Sequence, residues 1–287
     1  MPFILKDVSF TYQKDMVFAQ EALKGLDFTV EDGEMLGVMG AAGSGKSTFL
    51  QLLNALLKAE HGHVLYNGRD LAGLNKKQLI GLRQEVGMVF QYPEQQIFAD
   101  GVYDEIAFGP RNMGLDSKNA DRRVRAAMQQ VGLDFSEYSN RRTAALSSGE
   151  KRRVAIAGIL ALKPRHLLLD EPTAGLDGEG RRAILNYLQQ INRQENITVI
   201  MVTHNLGHLL AVCRRLMVIE RGRIALDTSV SRILDHYDRL QELGIELPPH
   251  LEAAYRLQQR GWEINTADVG VAAIARQIAD KVGSVRL

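Results

Sequence analysis

Gly40-Ala41-Ala42-Gly43-Ser44-Gly45-Lys46-Ser47 keeps the spacing G-x-x-x-x-G-K-[ST], whose chemistry is the cradling of a polyphosphate. Its glycines let backbone N–H groups curl around phosphate oxygens without Cβ clashes, at the positive end of a following helix. Lys46 would reach the β- and γ-phosphates, and the Ser47 hydroxyl would ligate Mg²⁺, with Thr48 beside them in the nucleotide site. A dinucleotide loop fits less well, because the glycines fall at 40, 43 and 45 rather than in G-x-G-x-x-G order. The flanks suit the motif. Met35–Met39 is an apolar run of strand length, and Thr48–Leu57 carries Phe49, Leu50, Leu52, Leu53 and Leu56 in a helical pattern. The expectation is a nucleoside triphosphate site.

His166-Leu167-Leu168-Leu169-Asp170-Glu171 is an apolar strand ending in adjacent carboxylates. Strand side chains alternate, so Asp170 and Glu171 point differently and can take different roles. Asp170 would hold the Mg²⁺ shell, and Glu171 would accept a proton from the attacking water. His204 follows the apolar run Thr198–Thr203, where it could hydrogen-bond the γ-phosphate and orient that water. His208 superficially makes a zinc pair with it, but Asn205 is not the glutamate of H-E-x-x-H and no third ligand is evident. His61 and His63 flank Gly62 ahead of a short strand and read as turn residues.

Ser147 precedes a helical pattern and makes a good N-cap, and that helix start offers N–H groups to an anion. Lys151, Arg152 and Arg153 oppose the helix dipole there, either as a solvated face or for a reason outside helix stability. Nucleic-acid binding by Arg141, Arg142 and Lys151–Arg153 is weakly supported, since no aromatic residues are interleaved.

Positioning these residues requires a sizeable fold. The chain has 287 residues, enough for a large domain and an appendage. Hydrophobic residues make up 45% and charged residues 24%, a globular composition. The 35 basic and 34 acidic residues nearly cancel, which argues against a polyanion-coating protein. Cys213 stands alone, so no intrachain disulfide forms and a reducing cytoplasm is expected. No apolar run approaches the ~18 residues of a membrane span, and MPFILKDVSF lacks the marks of a secretory signal. Membrane work would require a partner.

Apolar runs at Ile4–Phe10, Met35–Met39, Val86–Phe90, His166–Leu169, Thr198–Thr203 and Leu216–Ile219 alternate with helical patterns. That alternation predicts an α/β fold with a largely parallel sheet covered on both faces. From Gln91 to Lys163 only helices are expected, near Val102–Phe108, Ser117–Val131 and Gly149–Leu162, as an inserted subdomain. A strand over Arg223–Asp227 would close the core, leaving helical patterns around Ser231–Glu242, Leu251–Arg260 and Val269–Asp280 as a separate element. The expected division is 1–230, containing a helical subdomain at about 92–163, and a C-terminal extension at 231–287.

The phosphate loop, Gln91, LSSGE at 146–150, LLLDEPTAGLD at 167–177 and His204, in that order, resemble an ATP-binding-cassette (ABC) ATPase with a P-loop NTPase core, over residues 3 to about 230. The resemblance implies that Tyr12 stacks on adenine and that Gln91 touches the Mg²⁺ or water while sensing a membrane partner. It also implies that Ser147 and Gly149 contact the γ-phosphate held by a second subunit, and that Asp177 lies in a loop crossing the interface. Ser148 and Glu150 depart from the usual glycine and glutamine. The serine Cβ would crowd the interface, and a carboxylate near a triphosphate is electrostatically unfavourable, so a weaker half-site is expected.

QYPEQQIF at 91–98, VYDEIAFGP at 102–110, RRVAIAG at 152–158 and LGIELP at 243–248 are similar to the ATPases of energy-coupling-factor transporters, in the wording of their second paralogue. The similarity implies bacterial or archaeal import of a vitamin or a transition-metal ion. It implies a second ABC ATPase, a paralogue rather than a copy, with an integral coupling subunit docking near Ile97–Phe108 and a membrane subunit that captures substrate. The chain would sit on the cytoplasmic face of the cell membrane, and its tail would serve as a dimer contact or regulatory cap. Gly101, where the family has threonine, would leave the docking helix slightly looser. The competing expectation is a soluble cassette ATPase acting on nucleic acid or ribosomes. Near-neutral charge, a single cassette and the lack of a long coiled-coil insertion count against it. A nucleotide-binding regulator with little turnover is the third reading, suggested only by Ser148 and Glu150.

Overall fold

The structure, a computed structural model, describes residues 3–14 and 17–284. Its strands are β1 (Phe3–Tyr12), β2 (Gln20–Val30), β3 (Met35–Met39), β4 (His61–Tyr66), β5 (Arg69–Asp70), β6 (Val86–Val89), β7 (His166–Asp170), β8 (Thr198–Val202), β9 (Arg215–Glu220) and β10 (Arg223–Ser229). The helices are α1 (Lys46–Leu53), α2 (Lys76–Glu85), α3 (Val102–Asn112), α4 (Ser117–Gln130), α5 (Phe135–Tyr138), α6 (Ser148–Leu160), α7 (Gly178–Glu195), α8 (Leu206–Val212), α9 (Tyr237–Glu242), α10 (Pro249–Gln258) and α11 (Val271–Ser284).

A six-stranded sheet runs β10-β9-β3-β8-β7-β6, parallel except for β10, which pairs antiparallel with β9. Strand alternation gives each strand two buried faces. Leu168, Ile200, Leu36, Val38 and Met217 face one apolar cluster with α1 residues Phe49, Leu50, Leu52 and Leu53. Leu167, Leu169, Val199, Met201, Leu216 and Val218 face the other, with α6, α7 and α8. The expected α/β fold with a largely parallel, doubly covered sheet is what forms.

The covering of the α1 side differs from expectation. β1 belongs to a separate antiparallel sheet, β2-β1-β4-β5, whose Phe3, Leu5, Leu26 and Phe28 close over α1. His61 and His63 lie in β4 rather than in a turn, with only Gly62 at positive φ, and His63 Nδ1 is 2.6 Å from Asp70. Helix α1 ends at Leu53, short of Leu57, because Asn54 leaves helical geometry and its side-chain amide donates to Val86 O at 2.7 Å.

Between Gln91 and Lys163 the described elements are helical, apart from an isolated bridge between Gly101 and Arg142. Past β10 the chain forms a 3-10 segment, Val230–His236, and then α9 to α11. Leu240, Ile245, Leu247, Leu251, Ala254 and Ile274 are buried in the same apolar cluster as α6 and α7.

The loop between β3 and α1 is clamped where the sheets meet. Gly222, in the β9–β10 turn, donates to Ser44 O at 3.0 Å and accepts from Lys24 N of β2 at 2.9 Å.

Candidate nucleotide site

The phosphate loop emerges from β3, whose residues are all buried, so its starting point is fixed by the sheet. Gly40 has φ 147°, and a Cβ there would lie 2.1 Å from Ile219 O, which excludes any other residue. Gly45, at φ 111°, is the N-cap of α1. Ala41, Ala42 and Gly43 are exposed at the loop crest, while Ser44 and Thr48 are buried beneath it. Lys46 Nζ donates to Gly40 O at 2.8 Å and Ala41 O at 2.7 Å, folding its ammonium over the crest. Burial lowers the lysine pKa, while Asp170 and Glu171 pull it back up. The Tyr12 ring reaches this helix start, with its hydroxyl 3.1 Å from Thr48 Oγ1.

Asp170 and Glu171 diverge, although Glu171 leaves the strand in a left-handed turn rather than alternating within it. Asp170 Oδ2 accepts from Ser47 Oγ at 2.6 Å, joining β7 to the phosphate loop. Its pKa is raised, chiefly by burial. Glu171 turns at φ 51° just past the strand. Its Oε1 accepts from His204 N–H at 2.8 Å and lies 2.9 Å from His204 Nδ1, while Oε2 accepts from Thr203 Oγ1 at 3.0 Å. The His204 ring is 79% exposed and the Glu171 side chain 11%, so a buried carboxylate is held against a solvent-facing imidazole. Sequence reasoning missed the grip of Thr203 on Glu171, although a hydroxyl residue directly before His204 was its only signal. His208 instead meets Thr173, Nδ1 to Oγ1 at 3.1 Å. Gln91 stands exposed two residues beyond Val89, whose register partner Leu169 precedes Asp170.

The remaining expected residues lie at helix starts. Asp177 is the exposed N-cap of α7 and accepts from Gly180 N at 2.7 Å. Ser147 is the N-cap of α6 in a reciprocal box with Glu150. Ser147 N and Oγ both donate to Glu150 Oε2, at 2.8 and 2.7 Å, while Glu150 N donates to Ser147 Oγ at 3.3 Å. Tyr138 donates to Glu150 Oε1 at 2.8 Å, and Arg141 lies 3.7 Å away. Hydrogen bonds from Ser147 hold the Glu150 pKa down to about 2. Ser148 is exposed in the first helical turn, and Gly149 faces Leu176 of the Asp177 loop.

The apolar segment after Gln91 divides in two. Val102 and Ile106 are core, whereas Phe98 and Phe108 are 63% and 47% exposed with ring centroids 4.6 Å apart. They border a cleft of about 300 Å³ lined also by Met88, Ala155, Ile159 and Leu162. Arg152 is buried rather than a solvated base, with Nε 3.2 Å from Glu94 in the turn Pro93–Gln96. Gly101 caps α3 with extended backbone and no side-chain bond.

Loop, paired carboxylates and capped helix together define a P-loop ATPase of the cassette type. The sequence profile of ABC transporters matches residues 23–174. An energy-coupling factor transporter ATP-binding protein EcfA2 from Symbiobacterium thermophilum is 41% identical over 290 aligned positions, covering all of both chains. The EcfA2 of Caldanaerobacter subterraneus subsp. tengcongensis is 41% identical over 261 positions, 91% of each chain. Among solved structures, cbiO1 from Clostridium perfringens, part of the ABC transporter complex cbiONQ, superposes at TM-score 0.73 with 31% identity. That match covers 90% of this chain and 98% of cbiO1. The dimeric cassette MJ0796 bound to ADP and Pi also reaches 0.73, at 26% identity over 79% of this chain and 98% of its own. The chain belongs to the ABC transporter family and, within it, to the energy-coupling factor transporter ATP-binding proteins. It binds ATP, and its activity is ATP hydrolysis coupled to transport; the nucleic-acid or ribosome reading is not favoured.

Proposed function

We propose that this chain energises import of a vitamin or transition-metal ion from the cytoplasmic face of the membrane, paired with a paralogous ATPase and two kinds of membrane subunit. The observation that carries this reading is the convergence of Lys46, Ser47, Asp170, Glu171 and His204 at the carboxyl ends of adjacent parallel strands. Tyr12 would stack on adenine, and residues 40–48 would bind the phosphates through backbone N–H groups and the Lys46 ammonium. To do so, Lys46 exchanges its carbonyl partners for phosphate oxygens. Ser47, Asp170 and Gln91 offer the oxygen donors that a hard cation prefers, and burial of Asp170 leaves a charge that a cation would offset. Mg²⁺ held by these donors would supply positive charge against the charge that develops on the phosphoryl group.

Glu171 would take the proton of the attacking water, oriented by Thr203 and the His204 backbone, while the exposed imidazole bonds the γ-phosphate. Ser147 and Gly149 would close on the triphosphate of the partner subunit, with Asp177 at the interface. Phe98 and Phe108 would receive the coupling subunit, refining the expected Ile97–Phe108 contact to its exposed members. Residues 1–230 would form the ATPase domain, with its helical subdomain at about 92–163, and 231–287 an extension for dimer contact or regulation. No helix among the described residues is long and apolar enough to cross a membrane, in keeping with dependence on membrane partners.

The test is affinity isolation of the tagged chain from gently solubilised membranes, with ATPase measured beside a Glu171→Gln variant. Recovery of a second cassette and a polytopic subunit is expected, with turnover falling by about 10²–10⁴ and ATP binding retained. Recovery of ribosomes or nucleic acid without membrane protein would overturn the reading.

A further inference from the structure

Glu150 holds the one hydroxyl that a nucleotide in the opposed subunit would need. Ser147 has a single O–H to donate, and it is committed to Glu150 Oε2 at 2.7 Å. The carboxylate is fixed from its other side by the Tyr138 hydroxyl on Oε1 and by Arg141, both outside α6. Arg141 is itself shared with Glu137 at 2.6 Å, so it only partly neutralises Glu150. With its pKa near 2, Glu150 is ionised throughout the working range of an enzyme.

We propose that Glu150 is a positioning residue that latches Ser147, and that closure on ATP requires Ser147 to turn its proton from Glu150 to a phosphate oxygen. This rests on the reading above in which Ser147 meets a γ-phosphate held by the partner subunit. The contacts supply both halves of such an exchange. When Ser147 lets go, Tyr138 and Arg141 still hold the carboxylate, drawn away from the incoming phosphate. The negative charge nevertheless remains beside the triphosphate, so this composite site binds ATP more weakly than it would without the carboxylate. The weakening originates in one carboxylate on this chain, and Tyr138 and Arg141 moderate its effect.

The experiment uses the intact transporter isolated with this chain and measures ATPase against ATP concentration at low and high salt. Glu150→Gln preserves the S-x-x-Q capping box, so the helix start survives. It is expected to lower the half-saturating ATP concentration by about tenfold near 0.1 M salt. The gain should shrink towards about twofold near 1 M, where the Debye length falls to about 3 Å. Arg141→Gln should raise the half-saturating concentration in the wild-type background and leave it unchanged in the Glu150→Gln background. Thermal denaturation of each variant separates these effects from misfolding. An unchanged or raised half-saturating concentration in folded Glu150→Gln overturns the latch, as does a gain that ignores salt. A wild-type complex with no ATPase activity would sink the functional reading itself, a different outcome from active complexes that show no difference.

Discussion

The two ends of the catalytic apparatus are built on different principles. At the phosphate-loop end, Lys46 and Ser47 open α1 beyond β3, Asp170 and Glu171 stand at the end of β7, and hydrogen bonds tie these buried strand ends together. At the α6 end, Ser147, Ser148 and Glu150 sit at the outer start of a helix that is otherwise covered, and they bond chiefly to close neighbours on it and on the preceding segment. The first end is a nearly complete site within one chain. The second is, on the proposed function, the surface that meets the partner subunit. Catalysis by positioning demands both rigidity around the reacting atoms and an interface free to open, and the chain separates these demands between sheet and helix.

Substitutions can test that separation. The largest effect is expected from Gly40→Ala, whose Cβ would collide with Ile219 O. It should destabilise the fold by roughly 3 kcal/mol and reduce ATP binding by more than about 100-fold, read by calorimetry and nucleotide titration. Thr203→Val removes a hydroxyl that fixes a buried carboxylate oxygen while keeping the volume similar. It should lower kcat by roughly tenfold with little change in ATP affinity, a split visible in steady-state kinetics. Ser147→Ala should do least within the isolated chain. Loss of the cap costs about 1 kcal/mol in a denaturation series, with ATP affinity held within about twofold. A large loss of affinity in the isolated Ser147→Ala chain would show that the two ends are not separate.

The phosphate-loop end was largely legible because its information is local. Strand, glycine spacing and helix are contiguous in 35–53, and Asp170 ends its own strand with Glu171 directly after it. Thr203 could not be given a role, because its partner is 32 residues away and arrives only through strand pairing. The antiparallel sheet was missed for a related reason. In β2, alternation is clear from Leu26 to Val30, but Gly25 at positive φ and the bulges opposite β1 shift the phase, burying Ala22 and Leu23 together. Glu150 was legible as a charge and not as a ligand of Ser147, Tyr138 and Arg141, since a box and a liability use the same letters. Arg152 stayed open in the sequence between a solvated base and another role, because its carboxylate comes from a turn 58 residues earlier.

Gly222 gives the phosphate loop an unusual mechanical standing. One residue in the β9–β10 turn bonds to Ser44 on one side and Lys24 on the other, and Gly45 packs so near Ala22 O that a Cβ would lie 2.5 Å away. The loop is therefore a rivet through both sheets, and it cannot open as an isolated fluctuation without parting them. Amide protons at this junction, Gly222 above all, are expected to exchange among the slowest in a hydrogen-exchange measurement. Binding energy collected at such a point is delivered to the entire two-sheet body rather than spent on ordering a loop.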